Sequence, residues 1–101
     1  MYNLILLNSA KLELYNAIAF YNTREDKLGK LFSKNAFHLI ETILSNPKLF
    51  VKVKKEYRQA LIKKFPFVIV YKIDDKTKLL LLFRFFTQTV TQNISTKIKI
   101  I

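Results

Sequence analysis

The fold is decided by the stretch Glu56-Tyr-Arg-Gln-Ala-Leu-Ile-Lys-Lys-Phe-Pro-Phe-Val-Ile-Val-Tyr-Lys-Ile73. Its second part, Phe67–Ile73, is rich in β-branched and aromatic residues, which is typical of a central strand. Pro66 cannot donate a ladder hydrogen bond, so we expect it at the start of that strand or in the turn before it. Tyr57–Ile62 predicts a second, shorter strand. The stretch therefore predicts a β-hairpin.

The residues that follow extend this hairpin into a meander. Asp74–Thr77 is a polar break, and its two aspartates are typical of a turn. Lys78–Phe86 then has the apolar composition of a third strand. Two β-hairpins in a row predict an antiparallel β-meander, on which the rest of the chain must pack.

The N-terminal part predicts one strand followed by a helix. Tyr2–Leu7 is a short apolar segment that we expect to lie beside the meander. Asn8 and Ser9 are typical N-cap residues, and Ala10 would then open the helix. The polar segment Asn22–Asp26 is expected to end it.

A second helix is predicted from about Lys27 to Ser45. Its apolar residues recur close to every 3.6 positions. They are Leu28, Leu31, Phe32, Ala36, Leu39, Ile40, Ile43 and Leu44. Asn46-Pro47 should stop this helix, because the residue before a proline avoids the helical region. The short polar link between the two helices predicts an antiparallel helical hairpin.

These elements predict an α+β fold in the order β-α-α-β-β-β, with the helical hairpin covering one face of the sheet. The 101 residues are enough for one domain, so we expect a single domain over 1–101. Lys52–Lys55 is interpreted as a basic connection into the meander. For the polar tail 87–101, strand, helix and frayed extension remain open.

The charge of the chain points to a polyanionic partner. The formal net charge is +11, from 18 Lys and Arg against 7 Asp and Glu. Such a balance attracts nucleic acid, an anionic membrane surface or an acidic protein. Fifteen of the cations are lysines and three are arginines, and lysines give diffuse charge rather than base-specific readout. The alternative is that the lysines only keep an apolar protein in solution.

Several function classes have little support in the composition. The chain has no cysteine and one histidine, so thiolate chemistry is excluded and neither a metal site nor a cofactor is expected. Its single glycine excludes a glycine-rich phosphate loop. The N-terminus has no positive leader, and the longest apolar run, Leu79–Phe83, is too short for a membrane span. We expect a cytoplasmic protein without a membrane partner.

An ordered set of short motifs resembles the RelE/ParE superfamily of bacterial type II toxins, the plasmid-stabilisation toxins. Ser9-Ala10 follows an opening strand, and Phe20-Tyr21 closes the first helix. Leu28-Gly29-Lys30-Leu31-Phe32 resembles the family's Leu-Gly-x-x-Phe opening of the second helix. Arg58 and then Lys63–Tyr71 resemble the basic-Phe-Pro-Tyr-x-Ile-x-Tyr segment. The resemblance covers about residues 2–86 and leaves 87–101 as a divergent tail.

The resemblance implies one of two targets. RelE-like members are ribosome-dependent mRNA endonucleases, whereas ParE-like members inhibit DNA gyrase. The RelE-like branch places an arginine in the central strand, and Val68 occupies that position here. RNA cleavage without a metal needs an acid, a base and cations around the phosphate, so the apolar residue favours the ParE-like branch. The alternatives are a RelE-like mRNA endoribonuclease and a degenerate, non-toxic relative.

The family also implies partners. A toxin of this kind is neutralised by a cognate antitoxin whose C-terminal segment wraps it, and an acidic segment would complement the charge of +11. A toxin–antitoxin hetero-oligomer is thus expected. The target would be DNA gyrase or, in the alternative reading, the ribosome with its mRNA.

The candidate site residues are basic. A patch for a protein partner or nucleic acid is expected around the first meander strand. It consists of Lys52, Lys54, Lys55, Arg58, Lys63 and Lys64. Arg58, Arg84 and Tyr71 are weak catalytic candidates. Arg84 is a charge in an apolar strand and therefore needs a partner or solvent, while Tyr71 is interpreted as a core residue with a hydrogen-bonded hydroxyl. A solvated lysine face is the alternative for the patch.

Overall fold

The computed structural model describes residues 2–87. The predictions for the tail after Thr87 lie outside the described residues. The elements, in chain order, are β1 (Asn3–Leu6), α1 (Asn8–Arg24), α2 (Leu28–Ser45), a 3₁₀ turn (Pro47–Leu49), β2 (Lys52–Lys54), β3 (Tyr57–Leu61), β4 (Phe67–Asp74) and β5 (Leu79–Thr87).

The sheet has five strands in the order β1-β5-β4-β3-β2. The strands from β2 to β5 form an antiparallel meander, and β1 pairs with β5 in parallel. The predicted α+β class, the helical hairpin and the place of the first strand beside the meander are confirmed.

The segment Lys52–Lys54 is a strand, and its prediction as a mere connection was wrong. It pairs with β3 through Lys52 opposite Arg58 and Lys54 opposite Tyr57, with an irregular register between them. All three of its residues are exposed at the edge of the sheet. A strand of this length with charged side chains shows no buried apolar face, which explains why its pattern did not identify it.

The start of α1 also differs from its prediction. Asn8 is already helical, the N-cap position is Leu7, and no side chain caps the helix. The backbone N–H of Leu7 donates to the Leu82 carbonyl at 3.3 Å, so the chain passes from β1 into the helix with almost no link. The predicted capping by Asn8 and Ser9 was wrong because the sheet fixes the entry to the helix.

The helical hairpin depends on Gly29. A Cβ atom at this position would lie 2.0 Å from Asn22 Oδ1 and 2.8 Å from the backbone oxygen of Ile18. Both distances are below ordinary contact, and the second atom belongs to the backbone. The glycine therefore lets α2 approach α1 more closely than any side chain would permit.

The core lies between the helical hairpin and one face of the sheet. At one end of it, four aromatic rings pack together, with Tyr21 from α1 and Phe32 from α2 against Phe65 and Phe67. Their centroids lie 4.8–6.0 Å apart, and most pairs meet edge to face. Such pairs stabilise by about 0.5–1.5 kcal/mol beyond the area that they bury. Within residues 2–87, neither helix is long and apolar enough to cross a membrane.

Candidate partner-binding site

The structure divides the lysines of the predicted patch between the two ends of β3. Lys52 and Lys54 lie on the edge strand β2, and Lys55 lies in the turn after it. Lys63 and Lys64 lie in the loop that follows β3, at its other end. All five are exposed. Five residues of strand span roughly 17 Å, so the two groups flank β3 and do not form one cluster.

Arg58, the sixth member of the predicted patch, is part of the fold's framework. Its side chain is half-buried, and Nη1 donates to the Phe50 carbonyl at 2.6 Å. Arg58 stands opposite Tyr71 in the register of β3 and β4, so both side chains lie on the helix-covered face. The arginine therefore fastens the segment that connects the 3₁₀ turn to β2.

Tyr71 is fully buried, and its hydroxyl donates to the Pro47 carbonyl at 2.6 Å. Burial raises the pKa of this phenol to about 12, and the positive charge of Arg58 acts against that shift. The phenol therefore stays protonated at neutral pH. Tyr71 and Arg58 together hold the chain that leaves α2 against the sheet.

Arg84 lies on β5, towards the edge of the sheet that is opposite to β2, and its guanidinium pairs with Glu13 of α1. The Glu13 carboxylate accepts a hydrogen bond from Arg84 Nε at 2.9 Å, and its Oε2 forms an ion pair with Arg84 Nη2 at 2.8 Å. It also accepts from the backbone N–H of Phe85 at 2.9 Å. Because β1 ends opposite Leu82, no strand among residues 2–87 lies beside that edge of β5 beyond this point, and the Glu13 carboxylate accepts the hydrogen bond of the Phe85 N–H there.

An apolar groove lies beside this ion pair, between α1 and the ends of β4 and β5. Its volume is about 480 Å³. It is lined by Glu13, Asn16, Ala17, Phe20, Tyr21, Pro66, Phe67, Phe85, Phe86 and Thr87. At its rim Phe20 is 47% exposed, and the Arg24 guanidinium lies 4.4 Å from the centre of that ring. The groove thus offers an apolar floor with a cation at its edge.

The three catalytic candidates do not converge. Arg58 and Tyr71 contact the segment after α2, whereas Arg84 contacts α1 from a different strand. Val68, at the position where the RelE-like branch has its arginine, is 1% exposed. In the described part of the chain, no group of three His, Asp or Glu residues is placed to hold a metal ion. Both arginines contact groups of the fold itself, Arg58 the Phe50 carbonyl and Arg84 the Glu13 carboxylate.

Sequence reasoning missed Glu13 and the groove. One signal was available, because a charge inside the apolar strand β5 needs a partner, and Glu13 is the single acidic residue of α1. The pairing itself spans 71 positions in sequence. No local pattern reports a contact of that separation.

Comparison with known proteins supports the fold. No family model and no curated protein matches the sequence. The structure, however, is similar to one chain of a solved structure described as the chromosomal ParDE TA system from P. aeruginosa. The TM-score is 0.73 at 12% identity, and the match covers 86% of this chain and 96% of the other. The chain therefore has a RelE/ParE-like fold. Within that fold class, the similar structure is a chain of a ParDE system.

Proposed function

We propose that this chain is the toxin component of a bacterial type II toxin–antitoxin system. In this proposal it is a single ParE-like domain that acts in the cytoplasm by binding an essential protein, DNA gyrase, and an acidic antitoxin neutralises it. The observation that carries the proposal is the likeness to a ParDE chain over 96% of that chain's length. The motifs quoted from the sequence support it independently.

The state of the three catalytic candidates favours binding over RNA cleavage. An endonuclease of this size needs cations and a general acid or base that can reach a phosphate. Tyr71 is fully buried and donates to a carbonyl, and Arg58 donates to another. Arg84 is neutralised by Glu13. Their polar groups are engaged within the fold, which supports a toxin that works through its surface.

The groove between α1 and β5 is the proposed antitoxin site. An amphipathic segment of a partner binds such a groove through apolar side chains at its floor. The rim cation Arg24 and the net charge of +11 favour an acidic partner over a second copy of this basic chain. The exposed ring of Phe20 at the rim of the groove would then be an anchor for the partner.

Inducible expression in bacterial cells tests the proposed target. We expect growth arrest with filamentation, intact transcripts and reduced negative supercoiling of a reporter plasmid. Transcripts cut inside codons, seen by 5′-end mapping, would instead identify an mRNA endonuclease. Full expression without any growth effect would identify a degenerate relative.

Neutralisation tests the proposed groove. The reading frame adjacent to this gene is co-expressed with the wild type and with two variants. Phe20→Ser should keep toxicity and lose rescue, since it removes an anchor that is 47% exposed. Leu12→Ser is the matched control, because Leu12 is 63% exposed on the same helix and does not line the groove. Equal rescue of both variants would refute the groove assignment.

A further inference from the structure

A second surface lies on the outer side of α2, away from the groove. Lys30, Lys34 and His38 follow one another at four-residue spacing, so they share one helix face. All three are exposed. Phe37 lies beside this row with 48% of its surface exposed. An aromatic ring therefore faces solvent beside a row that carries two lysines.

The loop between β3 and β4 adds another cation to this surface. Asn35 of α2 donates from Nδ2 to the Lys63 carbonyl at 3.0 Å, which ties the loop to the helix. The loop and the helix enclose a hollow of about 490 Å³. Its lining consists of Lys34, Asn35, Phe37, His38, Glu41 and Lys63.

The charges of this hollow are available to a ligand. The ion pairs of the described residues join Lys48 to Asp75, Lys52 to Glu56 and Arg84 to Glu13. Lys34 and Lys63 therefore have no carboxylate within 4.0 Å in the part of the chain that the structure describes. Glu41 is the one acidic residue in the lining. Two lysines against one glutamate leave the hollow positive.

We propose that this surface, the α2 hollow, binds single-stranded nucleic acid. Lys34 and Lys63 hold successive phosphates, the ring of Phe37 stacks on a base, and the Glu41 carboxylate accepts from a base amino group. The acidic side chains of a peptide would satisfy the lysines, but they supply neither a ring for Phe37 nor a donor for Glu41, whereas each nucleotide carries a phosphate and a base. The α2 hollow shares no lining residue with the groove beside Glu13, so this activity is additional to antitoxin binding.

Fluorescence anisotropy with labelled oligonucleotides tests the proposal on the full chain. The probes are an oligodeoxyadenylate of about 12 nucleotides, which fits common site sizes, and an abasic strand of the same length. Phe37→Leu should weaken binding of the adenylate strand about tenfold and leave the abasic strand unchanged, since only bases stack. Tyr15→Leu is the matched control, because Tyr15 is a 55% exposed aromatic residue on α1. It should bind both probes like the wild type.

The salt dependence tests the lysines. The slope of log K against log salt is negative, and Lys34→Gln and Lys63→Gln should each reduce its magnitude by about 0.7. This is the value for one lost single-strand phosphate contact. Lys11→Gln removes an equal charge from the exposed face of α1, outside the hollow, and should leave the slope unchanged.

Three results would overturn the proposal. One is an equal slope change in Lys11→Gln, which would mean diffuse attraction by the net charge. Another is a Phe37→Leu variant that binds adenylate like the wild type. The third is polyglutamate that displaces the adenylate strand and loses affinity in Phe37→Leu, which would make the surface a peptide site. Because these positions are exposed, thermal unfolding near the wild-type temperature verifies that each variant is folded.

Discussion

The two faces of the sheet are buried by different means. On one face, the helices cover Phe67, Ile69 and Tyr71 of the central strand β4. On the opposite face, Val68 and Val70 are 1% and 0% exposed, although they lie outside the core cluster that the helices form. The part of β4 from Phe67 to Tyr71 is therefore inaccessible to water on both faces.

The open face is covered by its own side chains. Tyr57 of β3 and Phe83 of β5 meet edge to face, with their ring centroids 5.0 Å apart. Since β3 and β5 flank β4, the two rings reach each other across the central strand. The ammonium group of Lys72 lies 5.6 Å from the centre of the Tyr57 ring. The covered face thus depends on contacts between distant elements, and the open face on cross-strand pairs.

The largest effect that this difference predicts is the loss of stability when Phe32 on the covered face is replaced. Its side chain is fully buried and contacts the rings of Phe65 and Phe67. Phe32→Ala should lower the free energy of unfolding by about 3–5 kcal/mol, because it leaves a cavity between two layers. Phe83→Ala on the open face should lower it by about 1–2 kcal/mol, since its neighbours can move into the space. Urea unfolding measures both, and equal losses would contradict the distinction between the faces.

The second prediction concerns the stability of the fold at alkaline pH, which depends on Tyr71 on the covered face. The pKa of Tyr71 is about 12 in the folded chain, against an ordinary value of 10.0. The unfolded chain therefore loses this proton first, and the stability that the phenol contributes is complete below pH 10 and is lost as the pH rises to 12. Two pKa units correspond to roughly 2.7 kcal/mol.

The difference between wild type and Tyr71→Phe isolates this effect, because the lysines titrate in both proteins. Tyr71→Phe should be less stable at neutral pH by about 1–2 kcal/mol, since the Pro47 carbonyl loses its donor. Its stability should then fall less steeply above pH 10 than that of the wild type. Parallel pH profiles of the two proteins would contradict the burial of an ionisable phenol at this position.

Glu13 joins the helical layer to the sheet, and its replacement should have a smaller effect. Glu13→Gln keeps one acceptor for the Phe85 N–H and leaves Arg84 without a counter-charge. We expect a loss of about 1–2 kcal/mol at low salt, which decreases as salt is added. Glu56→Gln breaks the exposed pair with Lys52 and should cost less than about 0.5 kcal/mol. Chemical unfolding at two salt concentrations compares them, and equal costs would mean that the Glu13 carboxylate does not fasten α1.

Periodicity and turn chemistry predicted most of the fold. The stripe of α2, the run at β4 and the proline before it each carry a strong local signal, because a buried face repeats at the period of its element. The short strand β2 has no buried face, so neither alternation nor an apolar run identifies it, although its partner β3 follows almost directly in the sequence. The start of α1 was misplaced because the hydrogen bond from the Leu7 N–H to the Leu82 carbonyl, which fixes the entry to the helix, joins positions far apart in the sequence.

The site was less predictable than the fold. Lysines that are close in sequence were taken as one surface, yet β3 carries Lys55 and Lys63 to opposite ends. The hollow on α2 combines Lys63 with Lys34, which is 29 positions away, through the hydrogen bond from Asn35. Surfaces of this kind follow from tertiary contacts, whereas a charge count states only that some anionic partner is favoured.

The smallest expected effect tests the open face most directly. A double-mutant cycle of Tyr57→Leu and Phe83→Leu measures how much the two rings stabilise each other across β4. Their edge-to-face contact predicts a coupling of about 0.5–1.5 kcal/mol, because leucine keeps apolar volume and removes the ring interaction. Tyr57→Leu with Leu12→Ala is the control, since Leu12 lies on α1, away from β4, and should show no coupling. A coupling near zero for the ring pair would mean that the two rings do not stabilise each other across β4, and the burial of the open face would then rest on other contacts.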